Sequence, residues 1–398
     1  MKNSVNVVIL GGSPTGLYAL RELAGAGFDV AVADTSAGCA SRSSLVRHRE
    51  RRFVGSLEEI KAWLWSLRDR CDEAPILLPT SDVFIEFLSQ HFDELATAFR
   101  IFSCYERIAG ELLDKEAFHR LCVRHGIPVP GVWRAESVRD LRNLADVIPY
   151  PCILKPLLIH RARSFLRGGK LIVVNDRHQF ITGVSTIPRE SGEWLVQEII
   201  PGPESEITLF GGYIDASGGS VEAFTGRKLR QYPIGFGSAS LVSSEPCEET
   251  RSLSERFLAE IGFRGVCGSE FKRDPRDGIL KIIEINPRPT LWFQITHDAG
   301  LRVVEAACRD LAELAFAPSR RPQDDKVRWR YLAKDVVSKF SYSRHGTRFI
   351  LPAPVIPRAA ASTRSWPVFS WRDPWPALVE PLLFTAKAWD RRRRRRSG

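Results

Sequence analysis

Gly268-Ser269-Glu270-Phe271-Lys272-Arg273-Asp274-Pro275-Arg276-Asp277-Gly278-Ile279-Leu280-Lys281-Ile282-Ile283-Glu284-Ile285-Asn286-Pro287-Arg288 holds two strand-like runs around a turn. The Pro and Asp-Gly content of residues 274–278 supplies the turn chemistry, so the segment is expected to be an antiparallel hairpin. Counting back from the turn puts Glu270 opposite Glu284 to within a residue or two. Alternation along a strand then places Glu284 and Asn286 on one face with Leu280 and Ile282. Two carboxylates that face each other across a ladder repel unless a cation lies between them. Oxygen ligands from Glu, Glu and Asn suit Mg²⁺, which takes one or two carboxylates plus substrate phosphates. The plainer alternative is that both glutamates diverge into solvent on an exposed hairpin face.

Upstream, Pro151-Cys152-Ile153-Leu154-Lys155-Pro156 sets a lysine in an apolar strand. A buried ammonium needs an anionic partner, and a nucleotide phosphate is a suitable one; a lysine snorkelling from a strand edge is the alternative. Between His160 and Lys170 the chain places Arg161, Arg163, Arg167, Gly168, Gly169 and Lys170. This composition suits a lid whose cations and backbone N–H groups close over phosphates, and it equally suits a basic surface loop. The pattern from Ala109 to His125 is helical, with Asp114 and Lys115 inside it, and residues 126–130 (Gly-Ile-Pro-Val-Pro) stop it. Short strand candidates follow at Cys152–Lys155, Lys170–Val174, Trp194–Ile200, Ser205–Gly212, Val221–Gly226, Gly265–Lys272 and Ile279–Asn286. The region therefore reads as α+β.

The chain opens differently. Val5–Leu10 reads as a buried strand, Gly11-Gly12-Ser13-Pro14-Thr15-Gly16 as a tight loop, Leu17–Ala26 as a helix and Phe28–Ala33 as a second strand ending in Asp34. That order is a βαβ unit, so the first domain is expected to be a doubly wound parallel sheet. Residues 76–82 (Ile-Leu-Leu-Pro-Thr-Ser-Asp) read as another strand with a helix cap at Ser81 or Asp82, so Asp34, Thr80, Ser81 and Asp82 are expected to face one pocket. The glycine loop departs from the dinucleotide fingerprint, because Ser13 stands where a glycine would let the backbone approach a pyrophosphate. A nicotinamide-dependent oxidoreductase is accordingly a lesser reading, although Asp34 lies near the distance expected for a ribose-binding acid.

A length of 398 residues suggests two to three domains, and 44% hydrophobic residues exclude wholesale disorder. No apolar run reaches the ~20 residues of a membrane-spanning helix. The N-terminus has no secretory pattern, so a cytoplasmic protein is expected. The eight cysteines form no Cys-x-x-Cys pair, which argues against a zinc ribbon or a disulfide framework. Arg391–Arg396 supply six of the ten net positive charges. Such a run has an anionic membrane surface or polymer as its expected partner, and a solvated tail as its alternative; nucleic acid is not expected. Beyond Pro318 the chain is rich in Arg, Pro and Trp, and prolines make long regular elements unexpected there.

The order and spacing of Lys115, Lys155, Gln197-Glu198-Ile199-Ile200-Pro201-Gly202-Pro203-Glu204, Glu270 and Glu284-Ile285-Asn286-Pro287-Arg288 resemble the ATP-grasp superfamily, over roughly Val5 to Leu314. The resemblance implies a doubly wound, Rossmann-like domain over 1–108, an ATP-grasp fold of two α+β subdomains over 109–318, and an irregular extension over 319–398. By the same resemblance Lys115 and Lys155 contact ATP phosphates, with Gly168 and Gly169 in the lid. The backbone around Gln197, Glu198 and Ile200 reads adenine, and Glu204, with Glu206 as competitor, holds the ribose. Glu270, Glu284 and Asn286 bind one or two Mg²⁺ (or Mn²⁺) ions, and Arg288 stabilises the transferring phosphoryl group. Phe224-Thr225-Gly226-Arg227-Lys228-Leu229-Arg230-Gln231-Tyr232-Pro233 and Gly235-Phe236-Gly237-Ser238 look like predicted carboxylate–amine ligases found beside polysaccharide-type biosynthesis genes. Arg227, Lys228 and Arg230 would then face an acidic substrate or the phosphates. The implied activity joins a small-molecule carboxylate to an amine through an acyl phosphate. A binding or scaffold protein that keeps the fold without turnover is the alternative.

Overall fold

A computed structural model describes residues 6–46, 52–156, 171–189, 192–345, 352–357, 363–383 and 385. Strands β1 (Val7–Leu10), β2 (Val30–Asp34), β3 (Arg52–Val54) and β4 (Ile76–Pro79) form a parallel sheet in the order β3-β2-β1-β4. Helix α1 (Pro14–Gly25) crosses from β1 to β2 and starts three residues before the apolar periodicity does. Ser13 is the reason: its side chain accepts from Thr15 N, and Pro14 has the fixed φ that suits a first helical position. The preceding turn needs Gly11, whose φ is +119° and where a Cβ would lie 2.3 Å from Thr80 Oγ1.

The expected helix over 109–125 is two helices, Ile108–Leu113 and Lys115–Arg124. Asp114 interrupts it by accepting from Ala117 N at 2.7 Å, an N-cap that opens a new first turn at Lys115. Strands β5 (Val132–Ala135), β6 (Cys152–Pro156), β7 (Ile172–Val174) and β8 (Trp194–Glu198) then make an antiparallel sheet in the order β5-β8-β6-β7. Leu154, Phe180, Trp194 and Val196 lie in its own small core.

A seven-stranded sheet follows: β9 (Ile207–Ile214), β10 (Ser220–Tyr232), β11 (Ser238–Ser244), β12 (Gly265–Arg273), β13 (Leu280–Asn286), β14 (Val327–Arg330) and β15 (Thr363–Ser365). Its order is β13-β12-β9-β10-β11-β14-β15. This sheet shares a continuous core with the first domain, for example where Phe102 meets Tyr213 at 5.8 Å between ring centroids.

The C-terminal extension is more regular than its proline content suggests. β14 pairs with β11 and buries Trp329 completely, which removes a large apolar side chain from water and accounts for the extra strand. Helix Leu332–His345 follows, and irregular chain in the described part of the extension before β15 lies at residues 319–326 and 352–357. Beyond β15 the buried Asp373 accepts from Ser43 Oγ at 2.8 Å, Ser44 N at 2.9 Å and Arg21 Nε at 3.3 Å, fastening the extension to the first domain. Among the described residues no helix is long and apolar enough to cross a membrane. The lid expected between His160 and Lys170, with Gly168 and Gly169, and the run Arg391–Arg396 lie outside the described residues.

Candidate active site

Glu270 and Glu284 are direct partners in the β12–β13 ladder. The pairing Glu270↔Glu284 is followed by Phe271↔Ile282, so Ile283 is an extra residue and forms a β-bulge. One extra residue inverts the alternation of faces. Leu280, Ile282 and Ile285 therefore enter the core, whereas Glu284 and Asn286 occupy the opposite face. This corrects the expectation that Glu284 and Asn286 share a face with Leu280 and Ile282.

Two lysines neutralise the pair. Lys228 Nζ donates to Glu270 Oε2 from a fully buried position on β10, and Lys115 Nζ donates to Glu284 Oε1 at 3.3 Å from the first turn of its helix. Burial, aided by the facing Glu284, lifts the Glu270 carboxyl above the ordinary carboxylate range against the pull of Lys228. At Glu284 burial acts in the same direction, but the Lys115 and Lys228 ammonium groups outweigh it and hold the carboxyl low. The two groups thus differ in proton affinity across a single ladder position.

A cleft of about 350 Å³ opens on one side of the pair, between the small sheet and the large one. Lys115, Lys155, Gln197, Glu198, Ile200 and Lys228 all line it. Glu198 Oε2 accepts from Gly131 N at 2.9 Å, and its other oxygen pairs with Arg276. Lys272, two residues from Glu270 and so on the same strand face, also reaches the cleft. Its Nζ donates to Ile200 O at 2.9 Å and Gly202 O at 2.7 Å, and burial lowers its pKa to about 8. Lys272 therefore clamps the segment after β8 to β12. The period-two spacing from Glu270 is the signal that finds it in the sequence.

A larger cavity of about 590 Å³ adjoins on the other side, and Phe236, Gly237, Glu270 and Glu284 line both. Its walls include Ser13 and Thr15 at the start of α1, Asp82, Asn286, Arg288 and Thr290. Arg288 pairs with Asp82 at 2.6 Å and donates to Asn286 Oδ1 at 3.1 Å. The Thr290 hydroxyl is buried and has no hydrogen-bond partner among the described residues. Tyr331, Lys334 and Glu380 supply a further part of the polar wall, with the Tyr331 hydroxyl donating to Glu380. No sequence pattern points to these three, because they come from an extension read as irregular.

No protein-family model matches the chain. The D-aspartate ligase of Enterococcus faecium is 27% identical over 227 residues, which cover 54% of this chain and 53% of the relative. A formate-dependent phosphoribosylglycinamide formyltransferase of Rhodococcus jostii is 24% identical over 210 residues, 48% of this chain and 45% of that one. The chain spans about half the length of the curated relatives it matches. Among solved structures, the N5-carboxyaminoimidazole synthetase of Staphylococcus aureus complexed with ADP superimposes with a TM-score of 0.61 at 16% identity, covering 80% of each chain. A biotin carboxylase domain of Hydrogenobacter thermophilus 2-oxoglutarate carboxylase with MgADP gives 0.59 at 17% identity, covering 81% of this chain and 72% of that one. The chain has the ATP-grasp fold.

Not every residue singled out from the ATP-grasp resemblance reaches the cleft. Arg227 neighbours Lys228 on β10 and so faces the other way, where it pairs with Glu245 at 2.6 Å and donates to Ser205 O at 3.2 Å. Arg230 would share the Lys228 face by simple alternation, but a bulge at Leu229 turns it to the buried Asp335 at 2.6 Å. Glu204 is fully buried and accepts from Gln231 N at 3.2 Å, Gln231 Nε2 at 2.9 Å and Gly235 N. Its oxygens brace the end of β10. Glu206 is half-exposed, 3.5 Å from Arg227, and outside the lining of either cavity. In the first domain, Asp34 Oδ2 accepts from Gly12 N at 2.6 Å and Thr80 Oγ1 donates to Leu10 O at 3.0 Å. Both staple the glycine loop, and of the four residues expected to share a pocket only Asp82 lines the large cavity.

Proposed function

We propose that the chain is an ATP-dependent ligase that joins a carboxylate to an amine. The observation that carries this reading is the Glu270–Glu284 pair, held between Lys115 and Lys228 at the junction of two cavities. The smaller cavity is the nucleotide cleft and the larger one receives the substrates to be joined. The D-aspartate ligase similarity and the ADP-bound neighbours support the same assignment.

The donor chemistry fits a hard cation. Among the described residues no three His, Cys, Asp or Glu side chains group together, so the set is two carboxylates and the Asn286 amide oxygen. Mg²⁺ is commonly held by such a partial set and completes its shell with phosphate oxygens and water. Glu270, Glu284 and Asn286 would hold it, and when bound it neutralises charge on the nucleotide phosphates. That the carboxylates already draw two ammonium groups shows how strongly this position favours positive charge.

In the reaction a substrate carboxylate oxygen bonds to the γ-phosphorus of ATP as the bond to ADP breaks. The amine then bonds to the acyl carbon and phosphate leaves with its electron pair; the amine's proton passes to solvent. Lys155 and Lys228 line the cleft and offset phosphate charge, while Arg288 faces the cavity where the acyl phosphate forms. Such transfers depend chiefly on positioning and charge neutralisation, which is why lysine, arginine and carboxylate dominate the site. An anionic surface attracted by Arg391–Arg396 is a further partner in this reading. Release of ADP and phosphate, followed across a panel of amino acids paired with carboxylated acceptors, tests the assignment. Absence of nucleotide binding with Mg²⁺ present would sink it.

A further inference from the structure

Each of the three oxygen donors assigned to the cation already accepts from a cationic side chain. Lys228 Nζ donates to Glu270 Oε2, Lys115 Nζ to Glu284 Oε1 at 3.3 Å, and Arg288 Nη2 to Asn286 Oδ1 at 3.1 Å. The Lys228–Glu270 pair is buried, and water screens it poorly; the Lys115–Glu284 pair is half-exposed. A divalent cation arriving alone therefore meets two ammonium groups on the carboxylates it needs, and like charges at such separations repel. The protein offers it little else, because among the described residues no three His, Cys, Asp or Glu side chains group together.

A nucleotide changes that balance. Lys115 and Lys228 both line the smaller cavity, so their ammonium groups can turn from carboxylate to phosphate oxygens without leaving it. Lys228 has a second holder in Gln231, whose Oε1 lies 3.4 Å from Nζ and whose Nε2 donates to the buried Glu204 at 2.9 Å. That contact keeps a buried ammonium hydrogen-bonded while Glu270 changes partner. The freed carboxylates and the phosphates together then supply the oxygens that a Mg²⁺ shell needs.

We propose that Lys115 and Lys228 make the site selective for a metal–nucleotide complex over the free metal: they stay on the carboxylates until phosphate draws them off, so cation and nucleotide bind cooperatively. This rests on the metal assignment made above and adds to it the exchange of partners by the two lysines. Linkage makes the effect reciprocal, since whatever factor the nucleotide adds to metal affinity the metal adds to nucleotide affinity. Lys115 is the more informative lysine to remove. Its half-exposed pair contributes little to stability, whereas loss of Lys228 strands a buried carboxylate.

The full chain is dialysed to equilibrium against Mn²⁺, which takes the same oxygen ligands as Mg²⁺, with and without the β,γ-imido analogue of ATP and at equal free Mn²⁺. The metal retained by the protein is measured, and Lys115→Met is treated in the same way with its thermal unfolding recorded beside the parent's. The parent is expected to hold Mn²⁺ at least roughly tenfold more tightly with the nucleotide than without it. Lys115→Met is expected to bind Mn²⁺ alone at least roughly tenfold more tightly than the parent does. Equal retention by the parent with and without nucleotide would overturn the proposal while leaving the metal assignment standing. So would a folded Lys115→Met that gains no affinity for free Mn²⁺. A parent that retains no Mn²⁺ even with the nucleotide would remove the metal assignment itself, and this proposal with it.

Discussion

Glu284→Gln removes one charge from the carboxylate pair while keeping its volume. The Glu284 side chain is 41% exposed and Lys115 31% exposed, so their 3.3 Å ion pair contributes about 0–1 kcal/mol. Against that loss, the substitution relieves repulsion with Glu270 across the ladder, worth roughly 0.2–1 kcal/mol. The terms oppose, so stability is expected to change by less than about 1 kcal/mol, a shift of a few °C at most. On the proposed assignment turnover responds differently, because the Glu284 carboxylate would hold the cation that offsets phosphate charge and a neutral amide holds it less well. Removing one such preorganised electrostatic contact typically costs roughly 10²–10³ in rate. A coupled assay of ADP release, run beside thermal unfolding, separates the two effects. Turnover within about threefold of the parent, with the fold intact, would refute a role for Glu284 in holding the metal and phosphates.

Lys228→Met leaves the Glu270 carboxylate buried without its cation and is expected to cost about 3–5 kcal/mol in urea unfolding. Adding Glu270→Gln should recover part of that loss, and strict additivity of the two would contradict the pairing. Asp274 is buried under Arg276 and Lys281, whose hydrogen bonds hold its carboxyl well below the usual range. A depressed carboxyl contributes stability above its unfolded pKa of about 3.9 and loses it as pH falls towards the folded value. Asp274→Asn should therefore lower stability near neutrality by about 1–3 kcal/mol, with the gap closing below about pH 4 in thermal melts. Glu204→Gln should lower the melting temperature and leave KM for ATP within about threefold, because Glu204 braces β10; a large rise in KM with unchanged stability would restore it to the ribose.

The parallel first domain was legible because βαβ punctuation is local: a strand, a glycine turn and a capped helix follow one another within 34 residues. The carboxylate hairpin was equally legible, since turn chemistry fixes the register by counting, and Glu270 does oppose Glu284. Face assignment failed where a single residue was inserted. The bulges at Ile283 and Leu229 each reverse an alternation, sending Asn286 away from Leu280 and Arg230 away from Lys228. Nothing in residue type marks either bulge. Glu204 misled for another reason: an acid after Pro201-Gly202-Pro203 has the place expected of a ribose ligand, and only the return of β10 shows its oxygens already occupied. The wall formed by Tyr331, Lys334 and Glu380 is set by contacts between segments far apart in sequence, which periodicity cannot report.

Calorimetric titration of ATP into the full chain, with Mg²⁺ and then with excess chelator, bears most directly on the nucleotide cleft. The account predicts saturable binding at one site with Mg²⁺, strong weakening without it, and the same weakening in Glu270→Gln. No saturable binding with Mg²⁺ present, or binding indifferent to both the cation and Glu270, would contradict it.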